Sequence, residues 1–385
     1  MTRKLYYEDQ YLRKFTAVVE DVCESGGKTA VVLDQTAFFP EGGGQSSDRG
    51  RIGDAHVVDV QIKDGVIYHF ISGKTALRQG DKAECEIDWK KRFSDMQQHS
   101  AEHIFSGIIH NLYGLENVGF HLGDTVVTLD FNAVLSEEQL ERVEFLVNGT
   151  IWENRKITAF FPTEDELKGL AFRSKKEIDE ELRLVEIEGI DLCACCAPHV
   201  SQTGEIGLAK IVGTEKIRGG TRISILCGDR GFSDIKEKLD QNKQISVLLS
   251  EKEKSSFSAV EKLKKEKEKL DYEVFALKTE LMKQKAASKE QRNIIIDFCN
   301  FSGDDLRRYT DMLAEKASEF AMALSGSDDD FRFVMISKTG SDIDHFVSEL
   351  KDSIPVKGGG RNGIIQGTIS ASRAEIERLI YSFFL

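Results

Sequence analysis

Two short stretches hold residue types whose spacing could do chemistry. In QQHSAEH, residues 97–103, His99 and His103 stand four apart. Four residues advance a helix by about one turn, so both imidazoles share a face and can meet one ion. In CACCAPHV, residues 193–200, Cys195 and His199 are again four apart. Cys193 and Cys196 are rival thiols, six and three positions before His199. Three imidazole nitrogens and one thiolate form a set that zinc favours. Four protein ligands close a tetrahedron, which suits a structural ion, whereas an open or expanded site would activate water. A cysteine nucleophile is the competing chemistry, but three clustered thiols beside a pair of histidines suit a metal better. Glu102, beside His103, is placed either as a general base or as an ordinary carboxylate on the helix. Its position is displaced by two residues from the HExxH pattern, which disfavours peptidase chemistry.

The element that carries the histidine pair is a helix over residues 89–114. Trp89, Phe93, Met96, His99, His103, Ile104 and Ile108 recur near a helical period, so both histidines face inward. Ahead of it, FTAVVEDV, KTAVVLD, AHVVDVQI, GVIYHFI and DKAECEIDW alternate or run apolar between Gly and Asp. Residues 1–90 therefore read as a β-barrel-like domain or curled sheet. Within it, TAFFPEGGGQSSDRG places Gly42, Gly43 and Gly44 before Gln45. Three glycines allow positive φ and close backbone approach, and a flexible hairpin connection is the plainer alternative.

After the helix, GFHLGDTVVTLDF reads as a strand pair holding His121, Thr125 and Thr128. SEEQLERVEFLVNGTIWEN is an amphipathic helix with Ser136 and Gln139 as its capping box. ELRLVEIEGIDLCACCAPHV reads as one strand running into the cysteine turn. Residues 91–232 thus make an α+β domain with that turn against its first helix. Residues 233–292 are helical and charged, with Val260, Val274 and Leu281 on one heptad position and Leu263, Leu270 and Leu277 on the other. Only Lys267 interrupts this seam, which fits a short coiled coil or helical hairpin serving as a dimerisation or spacer arm. Residues 293–385 alternate strand and helix as a small α/β domain. Its KGGGRNG loop, with Lys357 and Arg361, could approach a phosphate backbone. The fold class as a whole is α+β.

The net charge of −13 argues against a protein that coats nucleic acid nonspecifically. It leaves room for a partner of tRNA size, since residues 236–292 hold 15 Lys/Arg against 11 Asp/Glu. No run of eighteen apolar residues exists, so no membrane helix is expected. The start, MTRKLYYEDQYLRKF, lacks the apolar core of a secretory signal, which points to the cytoplasm. Seven cysteines, three of them within four positions, fit reduced thiols with a metal rather than a disulfide framework. No Walker or dinucleotide pattern appears, so the chemistry is expected to be ATP-independent.

HSAEH followed by CCAPHVSQTGEIG resembles the HxxxH and CxxxH signatures of the editing domain of alanyl-tRNA synthetase. The free-standing AlaX proteins and the threonyl-tRNA synthetase editing domain share them. VVLDQTAFFPEGGGQSSDRG resembles the glycine-rich segment of alanyl-tRNA synthetases and longer AlaX proteins, and the heptads with KGGGRNGIIQG resemble the synthetase's C-terminal domain. One turn departs from the family: its usual CGGTH reads CCAPH here, with the ligand spacing kept.

The resemblance implies hydrolysis of the ester between a wrong amino acid and tRNA for alanine, with serine the chief target and glycine the second. A pocket built for alanine rejects an added hydroxyl weakly, so a second hydrolytic site is needed. It further implies zinc on His99, His103, Cys195 and His199. Gly43, Gly44, Gln45, His121 and Thr125 would face the substrate, with Gln45 and Glu102 nearest the chemistry, and Lys357 and Arg361 would face tRNA. The chain begins just ahead of the editing motifs, so a long-form protein acting in trans is expected, as a homodimer through its heptads or C-terminal domain. Two other readings remain: editing of Ser-tRNA for threonine, and a non-catalytic tRNA-binding protein with structural zinc.

Overall fold

A computed structural model describes residues 2–174, 182–338 and 343–384. The chain divides into two compact units, Met1–Ile245 and Ser246–Leu385. It is mixed α+β in both.

Six strands of the first unit build a barrel: β1 Lys14–Ser25, β2 Lys28–Leu33, β3 Gly50–Ile52, β4 Ala55–Lys63, β5 Val66–Ile71 and β6 Lys82–Ile87. They close in the order β1-β2-β5-β4-β3-β6. The alternation explains the closure. Val19, Val31, Leu33, Ile52, Val57, Ile67 and Cys85 all turn into one buried core; the residues flanking Val19, Ile52, Val57 and Cys85 are exposed, whereas Ala30 and Val32 beside Val31 are buried too.

The barrel delivers the chain into helix α1, Trp89–Tyr113, whose N-cap is Asp88, with its carboxylate accepting from the Lys91 amide at 3.2 Å. This helix is buried along nearly its whole length after the first turn. Its apolar face, with Ile104, Phe105, Ile108 and Ile109, packs against β7 Asn117–Leu122, β8 Val127–Phe131 and helix α2 Glu137–Trp152. The Ser136–Gln139 capping box that opens α2 is formed in both directions. Such a cap contributes about 1 kcal/mol.

Three further strands hold the cysteine turn: β9 Ile157–Phe160, β10 Leu184–Ile187 and β11 Asp191–Ala194 form an antiparallel sheet in that order. The single strand expected from ELRLVEIEGIDLCAC is thus a hairpin. Gly189, at φ 69°, supplies the left-handed residue that reverses it. Strands β12 Ala209–Ile217 and β13 Gly220–Cys227 complete the sheet β12-β13-β8-β7, and helix α3 Gly228–Leu248 follows.

The second unit starts on helix α4, Ser256–Ala287. The heptad residues Val260, Leu263, Leu270, Val274, Leu277 and Leu281 on it are exposed. A five-stranded sheet follows, built from β14 Arg292–Cys299, β15 Ala317–Ser327, β16 Asp330–Ser337, β17 Val356–Arg361 and β18 Ile364–Ile369. Its order is β14-β15-β16-β18-β17, with helices α5 Asp304–Ala314, α6 Ile343–Ser353 and α7 Arg373–Phe384 between and after the strands. The KGGGR segment expected as a loop is the edge strand β17. Gly358 pairs with Gly367 and Gly360 with Ile365, so the glycines let two backbones lie close.

Candidate metal centre and active site

Helix α1 and the turn after β11 bring four side chains together. One ligand atom from each of His99, His103, Cys195 and His199 lies within 4.8 Å of every other. The Cys195 sulfur is 3.5 Å from His99 Nε2 and 3.3 Å from His199 Nε2. All three imidazoles are buried. Among the rival thiols, Cys193 lies near His103 and Asp191. Cys196 faces the glycine turn instead, 3.4 Å from where a side chain on Gly43 would begin.

The second nitrogen of each imidazole is what makes this cluster fit a metal. His99 Nδ1 donates to Gln45 Oε1 at 2.8 Å. His103 Nδ1 donates to Asp191 Oδ2 at 3.1 Å. His199 Nδ1 lies 3.0 Å from Ser100 Oγ. Gln45 Oε1 and Asp191 Oδ2 can only accept, so they hold protons on Nδ1 of His99 and His103 and aim those Nε2 lone pairs inward, as metal-binding histidines require, while the Ser100 hydroxyl holds the His199 ring at its own Nδ1. Burial pushes the Cys195 thiol well above its ordinary value, with the neighbouring Cys196 adding to the rise. A cation is what would hold such a thiol as thiolate, so the donor set fits zinc. Asp191 stays charged despite its burial, because His103 and Arg173 hydrogen-bond it and hold its carboxyl below the usual range. Arg173 grips both carboxylate oxygens, at 2.7 and 2.8 Å.

The glycine-rich segment reaches the same place from the barrel. Gly42 and Gln45 exchange two backbone hydrogen bonds in a tight turn. Leu122 N then donates to Gly44 O at 2.9 Å, fixing the turn to β7. Gly44 sits at φ 83°, and a Cβ there would strike the Phe120 ring at 2.6 Å, so only glycine fits. The turn is locked from below by Lys91, which donates to Ser46 Oγ and Ser47 O, and by the buried Arg92–Asp48 pair. The result is a buried Gln45 whose Nε2 has no hydrogen-bond partner among the described residues, beside His99. Such a buried donor is costly unless something accepts from it.

Glu102 is fully buried, and its Oε1 accepts from Ser106 Oγ at 2.6 Å and Asn117 Nδ2 at 2.7 Å. Its Oε2 is 3.9 Å from His103 Nε2. Phe120 packs its ring 4.8 Å from that of His99. Strand alternation therefore turns the next residue, His121, to the opposite face of β7, where it is exposed. Thr128 pairs with His121 and shares that face, and Thr125 is exposed in the turn between the strands. So these three are not brought to the cluster. Lys357 and Arg361 are exposed on edge strand β17, in the second unit.

Sequence reasoning did not single out Ser100, Asp191, Phe120 or Arg183. Asp191, Cys193 and Cys195 alternate, a period-two signal that could have marked the strand leading to the ligand. Arg183 Nη1 donates to Cys195 O and Ala197 O, both at 2.9 Å, and so braces the ligand turn through its backbone. No helix of the described residues is long and apolar enough to cross a membrane. All seven cysteines are free thiols.

Comparison with known proteins finds similarity to tRNA synthetases and tRNA-editing proteins. The family model described as tRNA synthetases class II (A) matches residues 2–91. That of the threonyl and alanyl tRNA synthetase second additional domain matches residues 182–223. The chain is 27% identical to the alanyl-tRNA editing protein AlaX-L of Pyrococcus horikoshii, over 98% of this chain and 96% of that protein. It is 28% identical to the alanyl-tRNA editing protein Aarsd1-A of Xenopus laevis, over 93% and 90%. It is 30% identical to the alanine–tRNA ligase of Ignicoccus hospitalis over 94% of this chain, but spans 40% of that ligase.

Proposed function

Because the chain is similar over nearly its whole length to alanyl-tRNA editing proteins of the AlaX kind, we propose that it acts in trans to hydrolyse mischarged tRNA for alanine, serine chiefly and glycine second. The observation that carries this reading is the convergence of three Nδ1-anchored imidazoles on the Cys195 thiol. His99, His103, Cys195 and His199 would hold zinc. When bound, the ion supplies Lewis acidity and positive charge beside the scissile ester.

The chain's own groups do the rest. In this reading the Gln45 amide donates from Nε2 to the serine hydroxyl, which removes its orphaned state only when the right substrate is present. Its Oε1 meanwhile keeps the His99 proton on Nδ1. Gly43 and Gly44 let the substrate pass close to bare backbone. Glu102, held by Ser106 and Asn117, accepts the proton of the attacking water. His121 and Thr125 contact the tRNA outside the pocket. Residues 91–232 form the deacylase, fed by the barrel of 1–90, and 233–292 form an arm to the docking domain of 293–385. There Lys357 and Arg361, four apart on one face of β17, meet phosphates. The exposed heptad seam of α4 pairs two copies.

The test is deacylation of Ser-, Gly- and Ala-charged tRNA for alanine by wild type and Cys195→Ala, with metal content measured on both. Loss of Ser-tRNA with Ala-tRNA spared, abolished together with zinc in the variant, is expected. Intact Ser-tRNA at full zinc occupancy would overturn the reading. The matched family model also covers threonyl enzymes, so Ser-tRNA for threonine is run alongside, and its preferential hydrolysis would reassign the tRNA.

A further inference from the structure

Arg183, Cys195 and the residue after β9 lie in one rung of the three-stranded sheet. Phe160 pairs with Leu184, and Leu184 with Ala194. One step outward along antiparallel strands sets Phe161 beside Arg183 and Arg183 beside Cys195, and Cys195 N donates to Arg183 O at 3.0 Å. Residues of one rung project from the same face of a sheet. That face therefore runs from a metal-facing thiol, across a guanidinium, to an aromatic ring. Two strand spacings, roughly 10 Å, separate its ends.

The far end is a built aromatic and cationic patch. Phe161 is 41% exposed. Its ring lies 5.5 Å from that of Tyr7 at 73°, edge to face, so Tyr7 braces it without covering it. Tyr7 in turn carries two cations, with Arg183 Cζ 5.1 Å and Lys4 Nζ 5.6 Å from its ring centroid. Arg183 is only 5% exposed, and its Nη2 makes no hydrogen bond among the described residues. A buried donor without an acceptor, between a reactive centre and an exposed ring, calls for an anionic or polar ligand group.

We propose that Phe161, backed by Tyr7 and flanked by Lys4 and Arg183, is the seat of the 3′-terminal nucleobase of tRNA. This rests on the editing reading above, and it adds how the ester is brought to the cluster. Single-stranded nucleic acid ends are held by stacking on aromatic rings beside cations that meet the phosphates. A net charge of −13 makes such a local patch necessary, because the chain as a whole repels RNA. The order along the rung matches one nucleotide: ester at Cys195, sugar-phosphate at Arg183, base at Phe161.

The experiment uses the full chain and an uncharged acceptor-stem hairpin ending in CCA, with 2-aminopurine as the terminal base. Wild type is expected to quench the fluorophore on binding. Phe161→Ala should bind roughly 5- to 100-fold more weakly and lose the quench, and Phe161→Trp should restore affinity. Lys4→Gln, which keeps the length of the side chain and removes its charge, should lower the salt dependence of binding by about one ionic contact. An unchanged affinity and quench in Phe161→Ala, or a wild type that binds without quench or fails to bind, would overturn the seat. Deacylation is measured separately. A wild type that quenches yet spares every mischarged tRNA keeps the seat and removes the editing reading, whereas deacylation without quench does the reverse.

Discussion

Two buried places in the first unit hold histidine in opposite ways. In the barrel, His69 Nδ1 donates to Val31 O at 2.9 Å and Nε2 accepts from Thr36 Oγ1 at 2.9 Å. A carbonyl can only accept, so the tautomer is set and the ring is complete. In the cluster, each imidazole has one nitrogen anchored and turns the other toward a common point. Both kinds are fully buried beside apolar neighbours. Burial therefore does not separate a core histidine from a ligand, but the second nitrogen does. The same contrast holds for cysteine: Cys85 packs in the barrel with no ligand cluster about it among the described residues, and burial pushes its thiol up to about 12, whereas Cys195 meets three imidazoles.

The sharpest way to break this comparison is to remove one imidazole from each place. His103→Ala should lose zinc and lower deacylation by on the order of 10³-fold, since both the Lewis acid and its geometry go. His69→Gln should keep full zinc content and deacylation. Metal analysis beside single-turnover kinetics checks both variants, and an active His103→Ala would end the assignment of His103 as a ligand.

The next effect concerns pH. Burial depresses His69 to about 4 from the ordinary 6.5, with its bond to Val31 O opposing the fall. The folded barrel thus resists a proton that the unfolded chain accepts. Stability is intact above about pH 6.5 and falls as the pH drops toward 4, by about 3 kcal/mol in all. Amide exchange of Val31 and Ile67 at pH 7 and 4.5 reads this, and His69→Gln should flatten the slope. An equal slope in wild type and variant would show that the barrel's acid sensitivity comes from another group.

Much of this was legible in the sequence, for reasons that differ by element. The helix of 89–114 was legible because Trp89, Phe93, Met96, Ile104 and Ile108 keep one helical period along it. The α2 cap was legible because a capping box is a local pattern. The His99–His103 pair was legible because i, i+4 spacing on a helix places side chains on one face without any tertiary information, whereas Cys195 and His199 lie in a turn and reach the same point through tertiary packing. The β10–β11 hairpin was not, since a buried sheet makes strand and turn alike in hydrophobicity and only Gly189 marks the reversal. Nor was the separation of His121 from the cluster. One residue decides which face of β7 it occupies, and Phe120 takes the inner face because the glycine turn packs on it. The KGGGR strand misled because glycines usually mark loops, whereas here they allow two edge backbones to meet.

The anchors themselves give the smallest and most informative test. If the inward aim of His103 Nε2 depends on Asp191, then Asp191→Asn should lower zinc affinity about 10- to 100-fold while the four ligands stay in place. The amide would keep one bond to Arg173 but lose the charge that holds the His103 proton on Nδ1. Competition against a zinc chelator measures the loss, and excess zinc should restore deacylation nearly in full. No such rescue is expected for His103→Ala, where a ligand is gone. A variant that binds zinc as tightly as wild type would show that packing alone aims the ring, as it would for a core histidine, and the contrast with His69 would then rest on Cys195 rather than on the anchors.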